Sequence, residues 1–142
     1  MKIYNPENDD ISIRNLELAS GNGDFGKIYF SPCYATDIDG TKENIDFQCD
    51  ALNTPFADNR FDNIIICNPW HFGFNNELSN EEAQDFIREM VRIITHGGKI
   101  IIIGNSNNKY CKPQKVTEQI AIFNATYGNE ELYIEIEDIT AT

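Results

Sequence analysis

A chain of 142 residues with 41% hydrophobic side chains is most economically one domain, spanning 1–142, with enough apolar mass to close a core. Its net charge of −12 disfavours unaided binding to a long nucleic acid of the same sign. No apolar run approaches the ~20 residues of a membrane span. The opening Met1-Lys2-Ile3-Tyr4-Asn5-Pro6 lacks the apolar centre of a signal peptide, so a cytoplasmic protein with no membrane association is expected.

After a polar leader, Ile11 to Leu18 alternates apolar and polar residues as a strand does. A loop with three glycines follows, then a short helix-compatible piece from Asp24 to Phe30, stopped by Ser31-Pro32. Cys33 to Ile38 reads as a second strand and Ile45 to Cys49 as a short third. Phe61 to Cys67, with Ile64 to Ile66 at its centre, reads as a buried fourth strand that runs into Asn68-Pro69-Trp70. Asn80 to Thr95 carries apolar residues at helical spacing, with Asn80, Glu81 and Glu82 suiting its start. His96-Gly97-Gly98 ends that helix, and Lys99 to Gly104 is a buried fifth strand. A further helix is expected from Pro113 to Ala125, and a last edge strand from Leu132 to Ile136. Strands alternating with helices, several of them apolar throughout, predict a three-layer α/β fold with a mostly parallel sheet.

Candidate chemistry gathers at the strand ends, where open parallel sheets bind ligands. The glycine loop follows strand one, Asp37 closes strand two, Asp50 follows strand three, and Asn68-Pro69-Trp70 follows strand four. Gly21-x-Gly23-x-x-Gly26 fits a dinucleotide fingerprint, but two residues oppose it. Glu17 stands before the loop where that fold places a hydrophobe, and Asp24 in the first helical turn would repel a pyrophosphate. The four cysteines form no C-x-x-C pair, and reduced, buried thiols without a metal are expected.

Four phrases resemble class I methyltransferases that use S-adenosyl-L-methionine (SAM), over roughly Ile13 to Gly104. They are Leu16-Glu17-Leu18-Ala19-Ser20-Gly21-Asn22-Gly23, Ala35-Thr36-Asp37-Ile38-Asp39, the run from Asp50 to Asp62, and Ile94 to Ile100. The resemblance implies a Rossmann-like sheet with a SAM site. Glu17 would place the amino end of the methionine moiety, while Ala19, Gly21, Asn22 and Gly23 pass beneath the ligand. Asp37, with Ile38 beside it, would accept hydrogen bonds from the ribose hydroxyls. Asp50 would accept from the adenine amino group, with Ala51 and Leu52 at the ring edge. Asn68-Pro69-Trp70 resembles the Asn-Pro-Pro-aromatic motif of methyltransferases acting on planar amino groups. It would hold the target nitrogen in line with the methyl group, the orientation being the main catalytic need. The run Asn68-Pro69-Trp70-His71-Phe72-Gly73, with Ala83-Gln84-x-Phe86-Ile87, Gly97-Gly98 and Gly104-Asn105 to Tyr110, is similar to ribosomal RNA guanine-N2 methyltransferases.

Four departures from that family bear on function. Ala19 stands where a glycine is usual, a small change that still admits close approach. The helix between strands two and three is missing, the C-terminal end is shortened, and an N-terminal substrate-binding extension is not expected. The readings are therefore a minimal methyltransferase, completed by self-association or a partner protein, a catalytically silent module binding SAM or S-adenosylhomocysteine (SAH), and a NAD-binding domain.

Overall fold

The computed structural model describes residues 2–67, 69, 72, 74, 80–104, 108, 111–127 and 133–138. A 3-10 turn at Pro6–Asn8 precedes β1 (Asn15–Leu18), α1 (Phe25–Tyr29), β2 (Cys33–Asp37), β3 (Phe47–Gln48) and β4 (Phe61–Cys67). Then come α2 (Asn80–Ile93), β5 (Ile94–Gly104), α3 (Pro113–Tyr127) and β6 (Tyr133–Asp138). Among the described residues six strands form one sheet in the order β3-β2-β1-β4-β5-β6, and each neighbouring pair is parallel. This is the doubly wound arrangement, with its reversal of strand order between β1 and β4.

The strand pattern decides which side chains each helix layer covers. Leu16, Leu18, Ile64, Ile66, Ile100 and Ile102 share one face, and Phe86, Ile87, Met90, Val116 and Phe123 of α2 and α3 pack on it. The opposite face carries Cys33, Ile65, Ile101 and Ile103, with Phe25 and Phe30 beside them. A five-residue helix serves that second face, so the two layers are unequal. No helix joins β2 to β3, as the sequence predicts. Residues 38–46 cross over instead, and the Asp46 carboxylate receives the Ala35 N–H at 2.9 Å and pairs with Lys27 at 2.7 Å.

Element boundaries differ from the sequence reading where side chains compete with the ladder. Ile11 to Arg14 is not strand. Asp10 Oδ1 accepts from both the N–H and the hydroxyl of Ser12, a local turn that displaces extended pairing. The helix ends at Ile93 and β5 begins at Ile94, earlier than the His96-Gly97-Gly98 stop. Ile94 pairs with Phe61 and Lys99 with Asn63, so residues 95–98 bulge out opposite the single residue Asp62. α3 runs on to Tyr127, and β6 covers Tyr133–Asp138 at the sheet edge.

The N-terminal leader is held against the sheet by a buried ion pair. Arg60, 6% exposed, makes two hydrogen bonds to the Asp9 carboxylate, at 3.0 and 2.7 Å, and donates to the Ile13 and Asp10 carbonyls. Tyr4 and Tyr34 hydroxyls also reach Asp9. Hydrogen bonds from Arg60 hold the Asp9 carboxyl below the usual carboxylate range, despite the opposing effect of burial. Removing one partner of such a pair strands the other charge. Asp9→Asn is therefore expected to lower the unfolding free energy by about 3–5 kcal/mol at neutral pH, read by urea denaturation. Because the folded-state pKa is depressed, this stabilisation is present above the unfolded value of about 3.9. The gap between wild type and variant should close as the pH falls through the folded-state value.

Candidate functional site

A cleft of about 700 Å³ opens at the carboxyl ends of β1 to β4, a volume within the ~300–1,000 Å³ of small-molecule sites. Its first half follows β2 and β3, where Asp37, Ile38, Lys42, Cys49, Asp50 and Ala51 line the wall. Its second half follows β1 and β4, with Ala19, Ser20, Gly21, Cys67, Pro69 and Phe72. Leu52 and Glu82 complete the lining.

The glycine loop forms the floor. Gly21 has φ +60°, and a Cβ built there meets nothing within 4 Å, so the backbone lies open to a ligand. Ala19 has φ +53°, also left-handed. Holding a residue with a Cβ there costs about 1–2 kcal/mol, so the exchange of glycine for alanine is more than a matter of size. Asp37 is what fixes the loop. Its Oδ2 accepts from the Gly21 N–H at 2.8 Å and its Oδ1 from the Asp39 N–H at 2.9 Å. A carboxylate has about four acceptor sites, so hydroxyl donors from a ligand can still be received. Asp50 Oδ1 accepts the Leu52 N–H at 2.9 Å, a turn that presents Ala51 and Leu52 to the cleft.

Other candidate residues lie elsewhere. Glu17 does not line the cleft. β1 turns Leu16 and Leu18 to the thick layer and Glu17 to the thin one, where it is 1% exposed and accepts the Gly26 N–H at 2.9 Å. A Cβ on Gly26 would stand 2.9 Å from that carboxylate and 2.8 Å from Cys33 Sγ, so the third glycine of the loop permits close helix–strand contact. Gly23 and Asn22 are turned away too. Gly23 donates to the Ser20 carbonyl at 3.0 Å, and the Asn22 carbonyl accepts from the Asn44 side chain. Asn68, Trp70 and His71 lie outside the described residues. Pro69 is in the cleft wall, and its carbonyl accepts from the Asn108 amide at 3.0 Å.

The sequence reading gives Phe72, in the run after Asn68-Pro69, and Glu82, at the start of a helix, no role in the site. Phe72, with φ +82°, stacks on Phe86 at 4.2 Å and 14°. Its place just after Asn68-Pro69 is the available signal. Glu82 is indistinguishable by type from Glu81, and only α2's rotation turns it to the cleft.

Burial pushes the Cys33 and Cys49 thiols up to about 12 and Cys111 to about 11, and it raises Cys67 as well. These thiols stay protonated at neutral pH, which argues against a thiolate nucleophile in the cleft. Among the described residues, no group of three or more His, Cys, Asp or Glu side chains is placed to hold a metal, and no helix is long and apolar enough to cross a membrane.

A family model described as a methyltransferase domain matches residues 16–102, more than half of the chain. The chain belongs to this methyltransferase family. The methyl donor that such a domain would take, from the sequence resemblance, is SAM. Two curated relatives are the ubiquinone/menaquinone biosynthesis C-methyltransferases UbiE of Pseudomonas putida (strain GB-1), 40% identical, and of Pseudomonas fluorescens (strain SBW25), 38% identical. Each match covers 65 residues, 45% of this chain. The chain spans only 23% of the length of each. A solved chain from Methanococcus maripaludis, described as a candidate SAM-dependent methyltransferase, overlays with TM-score 0.49 at 18% identity, covering 80% of this chain and 56% of that one. The relatives named here do not include the ribosomal RNA guanine-N2 enzymes of the local resemblance.

In the methyltransferase domain the residues present fit the donor. The cleft's carboxylates outnumber its lysine, which suits a cationic sulfonium and opposes a pyrophosphate. Ile38 is 64% exposed at the rim, where a flat apolar ring would cover it.

Glu17 yields a prediction with a definite sign. Burial raises its pKa against the opposing Gly26 hydrogen bond. A raised folded-state pKa gives stability that is complete below the unfolded value of about 4.3 and is lost as the pH rises through the folded value. Glu17→Gln should therefore gain stability relative to wild type on going from pH 4 to pH 8, measured by denaturation midpoints. A constant difference across that range would contradict it.

Proposed function

We propose that this chain binds SAM in the strand-end cleft and transfers its methyl group to a nitrogen of a planar amine, a nucleobase among the candidates. The observation that carries the cofactor half is the Asp37 carboxylate at the end of β2, tied to the Gly21 N–H beneath the same cleft. Asp37 would hold the ribose hydroxyls, with Asp50, Ile38, Ala51 and Leu52 around the adenine, and the Ala19–Gly21 backbone under the methionine chain. Glu17, Asn22 and Gly23 would act by shaping the loop. When bound, SAM supplies an electrophilic methyl on sulfur. The protein's own contribution is then orientation and exclusion of water.

The acceptor half rests on Asn68-Pro69-Trp70, with Asn68 as acceptor of the target N–H and Trp70 as its stacking partner. A carbon acceptor is the second reading. Two observations favour it: the curated relatives are named C-methyltransferases, and the Pro69 carbonyl already receives the Asn108 amide. A partner protein or second copy that closes the cleft is compatible with both. A silent module that binds SAH without transfer is the outcome to exclude.

Calorimetric titration with SAH and a transfer assay with labelled SAM test the proposal together. Asp37→Ala should weaken SAH by about tenfold or more, as loss of charge-assisted hydrogen bonds implies. Asn68→Ala should abolish transfer and leave SAH affinity in place. Failure of wild type to bind SAH would overturn the cofactor assignment, and transfer that survives in Asn68→Ala would overturn the nitrogen reading.

A further inference from the structure

We infer that Glu82 selects the acceptor, receiving an ammonium or amine group carried on a flat apolar body that rests against Phe72. The inference builds on the proposed cofactor cleft and names the substrate class for its far end.

The residues that would serve the donor, Asp37 and Asp50, follow β2 and β3. Across the cleft, after β4, the wall is of another kind. Pro69 is buried there, and Phe72 is half-buried with its ring stacked on the fully buried Phe86. That stack fixes an aromatic wall, because Phe86 is locked into the core beneath it. Glu82 stands one helical turn before Phe86 on α2, and it lines the same cleft as Phe72. It lines the cleft, it is half-buried, and among the described residues no cation pairs with it.

A carboxylate in the first turn of a helix is explained by the helix dipole alone in many proteins. Here Glu81 supplies that interaction from the exposed face, whereas Glu82 turns into the cleft. A partly desolvated carboxylate without a cation favours a ligand that brings one, and an adjoining aromatic wall favours a ligand with a flat apolar part. One group meeting both is an alkylammonium arm on a flat aromatic body, the arm being held for recognition and distinct from the planar nitrogen assigned to Asn68. A neutral phenol or quinol satisfies the wall and can donate one hydrogen bond, but it brings no positive charge to the carboxylate. The carboxylate therefore gives recognition of the acceptor and no covalent step.

The test uses the full chain saturated with SAH, with 2-phenylethylamine and 2-phenylethanol as probes, titrated calorimetrically. Wild type should bind the ammonium probe about tenfold more tightly than the alcohol, the scale of a charge-assisted hydrogen bond. Glu82→Gln should erase that preference while leaving the alcohol and SAH unaffected, and Glu81→Gln should keep it. Equal binding of the probes by wild type, or a preference that survives Glu82→Gln, would overturn the inference. So would loss of SAH affinity in Glu82→Gln with 5′-methylthioadenosine unaffected, which would give Glu82 to the amino end of the donor. SAH is titrated into wild type first, so that failure of the cofactor cleft registers separately from absence of an amine preference.

Discussion

The hydrogen bond from the Gly21 N–H to Asp37 Oδ2, 2.8 Å long, joins the loops that leave β1 and β2. Around it the cleft takes its shape. Strand order reverses at β1, so the loops after β1 and β4 diverge and leave a crevice between them. The same Asp37 carboxylate also accepts the Asp39 N–H, so one side chain ties the glycine loop and the turn after β2 together at the rim. With Ala19 strained at φ +53° next to it, the loop depends on this anchor to hold its form.

The inequality of the two helix layers explains the behaviour of Glu17. Under a long helix a buried carboxylate would be surrounded by apolar side chains without a donor. Under the short α1 it meets the Gly26 N–H, and Gly26 has no side chain to intervene. The acid ahead of the loop thus fastens α1 to the sheet. Its influence on a ligand passes through the loop's position. The opposite layer is thick and apolar, and it locks Phe86, on which Phe72 rests. One end of the cleft is therefore built from loops held by carboxylates and the other from an aromatic pair held by the core.

Much of this was legible in the sequence, for identifiable reasons. Ile64–Ile66 and the isoleucines from Ile100 to Ile103 are apolar on both faces, which marks central strands. Asp37, Asp50 and Gly21 follow from where strands must end. Glu17 escaped because the residue type suggests a ligand contact, while the alternation of β1 puts its side chain on the opposite face from Leu16 and Leu18. Glu82 escaped because helix-start acids are common and only packing distinguishes Glu82 from Glu81. The start of β1 was misjudged at Asp10-Ser12, where a side-chain turn outcompetes alternation. The early start of β5 reflects the bulge at 95–98, and no period in the sequence reports it.

The central claim is that the strand-end cleft holds the methyl donor by its adenosine half. A crystal structure of the chain soaked with SAH tests it most directly. The account predicts the ribose hydroxyls on the Asp37 carboxylate and the adenine between Ile38 and Leu52, with its amino group on Asp50. SAH bound elsewhere on the molecule, or seated in the cleft with its adenosine directed away from Asp37, would contradict the account.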